Sequence, residues 1–171
     1  MSASELSLLV KPKAIAEVPY VIEANEAQRD ALARRFELSE VRSLRADIVL
    51  TPEGAVIKAD GTLKAAWLQQ CAVSGEDFSV KINEALHFRF VPAAAEVPGE
   101  EVELAEDDLD EIDYDGDVFD LGEAVAQSLG LAINPFATGP NADKIREEKG
   151  IAAEGEQDGP LAEMLKALKK D

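Results

Sequence analysis

Chemistry in this chain would have to come from very few side chains. Cys71 is the single thiol and His87 the single imidazole, and a thiol nucleophile needs a base close by and a lowered pKa. The strand pattern puts His87 on a wet face and Cys71 on the opposite phase, so Cys71 is expected to pack as a compact apolar residue at a strand end. One cysteine and one histidine also fall short of the three or four protein ligands of a usual zinc site. The densest carboxylate run, Asp113-Tyr114-Asp115-Gly116-Asp117, sets oxygens at alternate positions as a calcium loop does. Counted from Asp113, however, the turn position that needs glycine is Val118, and the position that needs a bidentate glutamate is Ala124. A solvated acidic loop is the expectation there. No phosphate-cradling, dinucleotide-binding or nucleophile-elbow glycine motif occurs. These residues assign no catalytic group, no cofactor and no metal, and the chain is expected not to be an enzyme.

Binding is the other kind of chemistry available. Arg29, Arg34, Arg35, Arg42 and Arg45 cluster in sequence, with Asp30, Glu37, Glu40 and Asp47 interleaved. Mixed signs read as ion pairing on a solvated face, with a small contact patch for RNA or a partner as the sharper alternative. Phe36 is the single aromatic side chain among them, and one ring does not make the series of interleaved aromatics that stacks successive bases. A net charge of −18 opposes a broad phosphate-binding surface and suits a basic partner protein. With no run of eighteen apolar residues and no secretory-type start, the expected compartment is the cytoplasm.

Period-two runs supply the frame for these residues. Leu44, Ala46, Ile48 and Leu50 alternate with Arg45, Asp47 and Val49, then Ile57, Ala59, Gly61, Leu63, Ala65 and Trp67 with Lys58, Asp60, Thr62 and Lys64, then Val80, Ile82, Leu86, Phe88 and Phe90 with Lys81, Asn83, His87 and Arg89. Three consecutive antiparallel strands make a meander, the last two joined through Ser74-Gly75-Glu76-Asp77 as a long hairpin spanning residues 55–91, with a bulge expected at Asp60-Gly61. A short strand at 17–22 carries Pro19 and reads as an edge. Helices are expected at 26–37, capped by Asn25, and at 119–129, capped by Asp117 or Asp120. Between Glu96 and Asp120 stand thirteen acidic residues and no basic one, a density that predicts a mobile loop over 93–117. Residues 137–159 read as a flexible linker. Leu161, Met164, Leu165 and Leu168 then form a one-faced amphipathic helix over 160–171 that must fold on contact, with its own domain or with a partner. The fold class is α+β, an antiparallel meander that an alternative closure would curl into an open barrel.

The order of these features resembles the YceD family, the large ribosomal RNA subunit accumulation proteins of bacteria and plastids. The long strand enters Cys71-Ala72-Val73-Ser74-Gly75-Glu76-Asp77-Phe78. After the acidic stretch, Asp120-Leu121-Gly122-Glu123-Ala124-Val125 leads to Leu129-Gly130-Leu131-Ala132-Ile133-Asn134-Pro135. The likeness covers residues 15–136, and the 160–165 segment looks like the short helix that often closes such chains. Many family members have a second cysteine three residues after the first. Ser74 stands there in this chain, so a zinc or redox role of a thiol pair does not carry over. The resemblance implies Cys71, Phe78, Asp120, Leu121, Glu123 and Pro135 as family-motif positions. It also implies a non-enzymatic part in 23S rRNA accumulation and large-subunit assembly. The acidic balance, taken with that, leads to the expectation of a basic ribosomal protein or assembly factor as partner, or of the 23S rRNA precursor. A general protein-interaction or small-ligand module built on an open barrel is the alternative expectation.

Overall fold

Alternation of apolar and polar side chains over three long runs, broken at a few positions such as Val49 and Glu84, decides the sheet. The computed structural model describes residues 4–93, 110–150 and 167–168. In chain order these form β1 (Leu9–Val10), a 3-10 turn (Pro12–Ala14), β2 (Tyr20–Glu23), α1 (Glu26–Arg35), β3 (Glu40–Glu53) and β4 (Val56–Gln70). They continue with β5 (Asp77–Pro92), β6 (Asp110–Tyr114), β7 (Phe119–Asp120), α2 (Leu121–Ala132) and α3 (Ala142–Lys149). The chain divides into two units, Met1–Gln69 with Ser79–Asn134, and Gln70–Phe78 with Pro135–Asp171.

In the first unit, five strands lie in the order β2-β3-β4-β5-β6, and β1 pairs separately with β7. The three alternating runs are neighbours in the order expected of the meander, β3 antiparallel to β4 and β5 beside β4, and β2 adds antiparallel to β3. The sheet stays open, with β2 and β6 as its two edges, so the α+β class holds and the barrel does not form. Pro19 precedes β2 on that edge, where a missing N–H leaves no gap in a ladder. Helices α1 and α2 share one core with a single face of the sheet. Leu32 of α1 and Leu121, Val125 and Leu129 of α2 are buried with Ala46, Ile48, Ile57, Ala59, Leu63, Trp67 and Phe90. Phe90 stacks on Phe119 with ring centroids 4.2 Å apart.

Several local expectations are corrected. Pairing passes through Asp60 and Gly61 without a slip, and the irregularity lies instead between Val41 and Ser43. Gly61 serves a close approach: a Cβ there would strike the Asp47 carbonyl and sit 2.8 Å from Ile48 Cα. Helix α1 has the expected cap, with the Asn25 side chain accepting from Gln28 N and the Gln28 side chain accepting from Asn25 N. It stops at Arg35 because Glu37 turns left-handed at φ 54. Helix α2 starts two residues later than expected, because Phe119 and Asp120 pair with β1, and it continues through Gly130 to Ala132.

Within the expected acidic loop, residues 110–114 form β6, parallel to β5 at Phe88–Pro92. Ile112 and Tyr114 pack partly against the core, the Tyr114 hydroxyl donates to the Ala55 carbonyl at 2.9 Å, and Glu111 accepts from Arg89 at 2.8 Å. Two apolar contacts and an ion pair thus hold a segment that its charge density alone would leave in water. The remaining loop, 94–109, lies outside the described residues. In the second unit, α3 occupies part of the stretch expected to be linker. Asn141 stands at its N-terminal end without a side-chain capping hydrogen bond, and Gly150, left-handed at φ 62, closes its C-terminal end. The expected helix over 160–171 lies outside the described residues, apart from Ala167 and Leu168, which are helical. Among the described residues no helix is long and apolar enough to cross a membrane.

Candidate functional site

The N-terminus of α2 is the best-tied point of the first unit. Asp120 caps the helix by accepting from Glu123 N through Oδ1 at 3.1 Å. The same oxygen accepts from Leu8 N at 2.8 Å, and Oδ2 accepts from the Ser7 hydroxyl at 2.8 Å. Leu121 N donates back to the Leu8 carbonyl at 2.9 Å. Gly122 is required for this approach, since a Cβ there would run into the Leu6 carbonyl. One turn of helix therefore clasps residues 6–8, and Leu6 is buried under it at 2% exposure. Leu121 itself is fully buried.

Glu123 extends the clasp to α1. Arg35 meets it side-on, Nη2 to Oε1 at 2.7 Å and Nη1 to Oε2 at 3.0 Å, while Nη1 also reaches Glu5 at 2.9 Å. These two hydrogen bonds pull the Glu123 carboxyl down to about 2, partial burial opposing, and raise the Arg35 guanidinium. The Arg35 guanidinium also lies 5.1 Å from the Phe36 ring centroid. Sequence spacing gave no hint of this joint, whose partners lie 88 residues apart.

The other arginines of the candidate patch do not converge with Arg35. Arg29 donates to the Ala24 carbonyl at 2.8 Å, and Arg34 is exposed on α1. Arg42, in the β3 irregularity, faces Glu40 at 3.3 Å. Arg45 faces Asp47 at 3.0 Å and Glu23 at 3.7 Å, and its guanidinium is raised first by the Asp47 hydrogen bond. Farther along the same wet face, His87 Nδ1 lies 2.8 Å from Asp60. Exposed contacts of this kind contribute little to stability, the two-bond Arg45–Asp47 pair included, since both its side chains stand in solvent. They do hold cations beside carboxylates and so lower the positive potential a phosphate would meet.

Cys71 belongs to the second unit and caps its own turn. Cys71 N donates to the Glu76 carbonyl at 2.8 Å, Gly75 N to the Cys71 carbonyl at 2.9 Å, and Ala72 N to the Ala137 carbonyl at 3.1 Å. The sulfur accepts from Val73 N and Ser74 N, each at 3.4 Å. Ser74 lowers the thiol most, through its side chain. Its own N–H and that of Gly139 add to the effect, and the pKa falls from 9.0 to about 6. Phe78 packs on Gly139, where a Cβ would meet its ring at 3.2 Å, and Pro135 follows Asn134 on the surface. The sole thiol should titrate with a midpoint near pH 6 in the folded chain and near its ordinary 9.0 in urea, as followed by thiolate absorbance. Because the folded value is the lower, folding gains from ionisation as pH rises between those values and loses that gain as pH falls back through 6. A folded midpoint near 9 would contradict the hydrogen-bonded turn.

Among the described residues no three Cys, His, Asp or Glu side chains gather as a metal set. What the geometry offers is a clasp, a thiolate-holding turn and a charged sheet face. A family model for the large ribosomal RNA subunit accumulation protein YceD matches residues 59–169. The chain belongs to the YceD family. That name implies a role in accumulation of large-subunit ribosomal RNA and describes an accumulation protein rather than an enzyme. The YceD match begins within β4 and takes in the α2 clasp residues Asp120, Leu121 and Glu123, together with Cys71, Phe78 and Pro135. It leaves the arginines of residues 29–45 on its N-terminal side. No curated protein and no solved structure matches the chain.

Proposed function

We propose that this YceD-family chain acts without catalysis in the build-up of 23S rRNA, and so in large-subunit assembly, by binding a basic ribosomal protein or assembly factor. The family match over residues 59–169 carries the reading. The mode of action follows from charge. The net value is −18, and Arg35, Arg42, Arg45 and Arg89 already stand within ion-pair distance of carboxylates. A surface so arranged attracts a basic protein and repels a phosphate backbone.

Cells lacking the chain should hold less 23S relative to 16S rRNA, with the wild-type chain restoring the ratio. The tagged protein should sediment in part with large-subunit precursors. An unchanged ratio together with a wholly free pool would contradict the function.

A further inference from the structure

Strand β5 is sixteen residues long, yet β6 covers it only at Phe88–Pro92. With β4 on its other side, residues 79–87 of β5 have no strand on their outer flank among the described residues. That flank runs about 30 Å at the usual rise of a strand. An edge of unpaired N–H and C=O groups is a template for a further strand.

The side chains along this flank are suited to a particular occupant. Val80 and Ile82 point to the core side but are only half-buried. Beyond them, where β6 begins, the end of α2 and β5 enclose a groove of about 350 Å³. Its walls include Glu84, Asp110, Ser128, Leu131 and Ala132. Glu84 and Asp110 are exposed, and Leu131 is 82% exposed. Among the described residues no lysine or arginine lines the groove, and the lining His87 is turned to Asp60 at 2.8 Å. The last turn of α2 carries no basic residue either, so its terminal carbonyls add partial negative charge uncompensated by its own side chains. The Ser128 hydroxyl is turned back onto the Ala124 carbonyl at 3.0 Å.

We infer that the outer flank of residues 79–87 and the adjoining groove receive an extended segment of a basic protein, added to the sheet as a strand. Its apolar side chains lie on Val80, Ile82 and Leu131, and a lysine or arginine enters between Glu84 and Asp110 below the end of α2. Main-chain pairing supplies affinity and the acidic groove supplies selection, as in other strand-addition complexes. An RNA strand would bring phosphates against two carboxylates and a helix C-terminus. A second copy of this chain would bring a further −18 of charge.

The assignment rests on the proposed basic partner, and the test separates the two. Proteins stripped by salt from purified large ribosomal subunits are offered to the immobilised full chain and, in parallel, to its complex in hydrogen exchange. The wild type should retain basic protein, and amide exchange over 79–87 should slow in the complex. Glu84→Lys with Asp110→Lys should cut retention by about tenfold or more, the size expected for reversing charges in a buried contact. The exposed pair Glu17→Lys with Glu53→Lys changes net charge equally and should leave retention intact. Equal losses in both pairs, or no loss in either, would overturn the groove while leaving a basic partner in place. Unchanged exchange over 79–87 in a formed complex would overturn strand addition. Slowing in the free chain that grows with its concentration would assign the flank to a second copy and overturn it likewise. No retention by the wild type would overturn both the groove and the basic partner.

Discussion

Trp67→Ala should lower the melting temperature by about 8–16 °C, the shift that about 4 kcal/mol produces in a chain of this size. Trp67 is the largest of the fully buried side chains and is 0% exposed in the middle of the shared core. Its removal leaves a cavity that a sheet fixed between two neighbours cannot close. A second loss adds to the first. Trp67 Nε1 donates to Gln69 Oε1 at 2.8 Å, and Gln69 Nε2 donates to the Asn134 carbonyl at 2.8 Å. Gln69 is the buried polar residue of the described core, at 5% exposure, so its amide oxygen would be left without a donor. Trp67→Phe keeps most of the volume but loses the same donor, and should cost about 1–3 kcal/mol. Equal melting of the Phe variant and the wild type would show that the relay from Trp67 to Asn134 contributes nothing.

The Arg35–Glu123 joint should give the largest pairwise coupling on the surface of the first unit. Two parallel hydrogen bonds at 2.7 and 3.0 Å join side chains that remain 30% and 27% exposed. After discounting for solvent screening, a double-mutant cycle of Arg35→Ala and Glu123→Gln should return about 1–2 kcal/mol at pH 7, above the usual value for an exposed pair. The pH dependence has a definite sign. Glu123 is held at about 2 against an ordinary 4.5, so its contribution is full above pH 4.5 and is lost as pH falls from there towards 2. Denaturation of the wild type and Glu123→Gln at pH 7 and pH 3 should show the difference between them shrinking in acid. A difference that stays constant would place the cost in packing rather than in the ion pair. Because the joint fastens α1 to the helix that also clasps residues 6–8, Glu123→Gln should speed hydrogen exchange in those segments before it affects β3 and β4.

Long-range pairing marks the boundary of what the sequence made legible. The meander of β3, β4 and β5 was readable because each strand alternates over many residues and buries one face: Ile57, Ala59, Leu63, Ala65 and Trp67 are all buried as their phase requires. The edge position of β2 followed from Pro19, and the cap of α1 from Asn25. Strand β6 was hidden because Ile112 and Tyr114 are its only inward apolar side chains and stand among carboxylates; its partner, β5, lies some twenty residues away. Helix α3 has no apolar stripe, and its signals were the flanking Asn141 and Gly150 alone. At the candidate site, the motif around Asp120 was visible as a pattern, but its work was not. Asp120 reaches Leu8 across 112 residues and Glu123 reaches Arg35 across 88, and no local period encodes such contacts. The lowered thiol of Cys71 was missed for a similar reason. In the sequence Ser74 marks only the loss of a second thiol, whereas in the fold its hydroxyl and N–H are donors to the first.

On the proposed function, this acidic YceD-family chain meets the large subunit through a basic protein. The most direct measurement is a competition in which the fluorescently labelled full chain is offered naked 23S rRNA and salt-stripped large-subunit proteins together, across a series of salt concentrations. The chain should bind the protein fraction, more weakly as salt screens the −18 charge over about 8 Å at physiological ionic strength, and should form no complex with the RNA. Binding to naked 23S rRNA in preference to the proteins would contradict the proposed function.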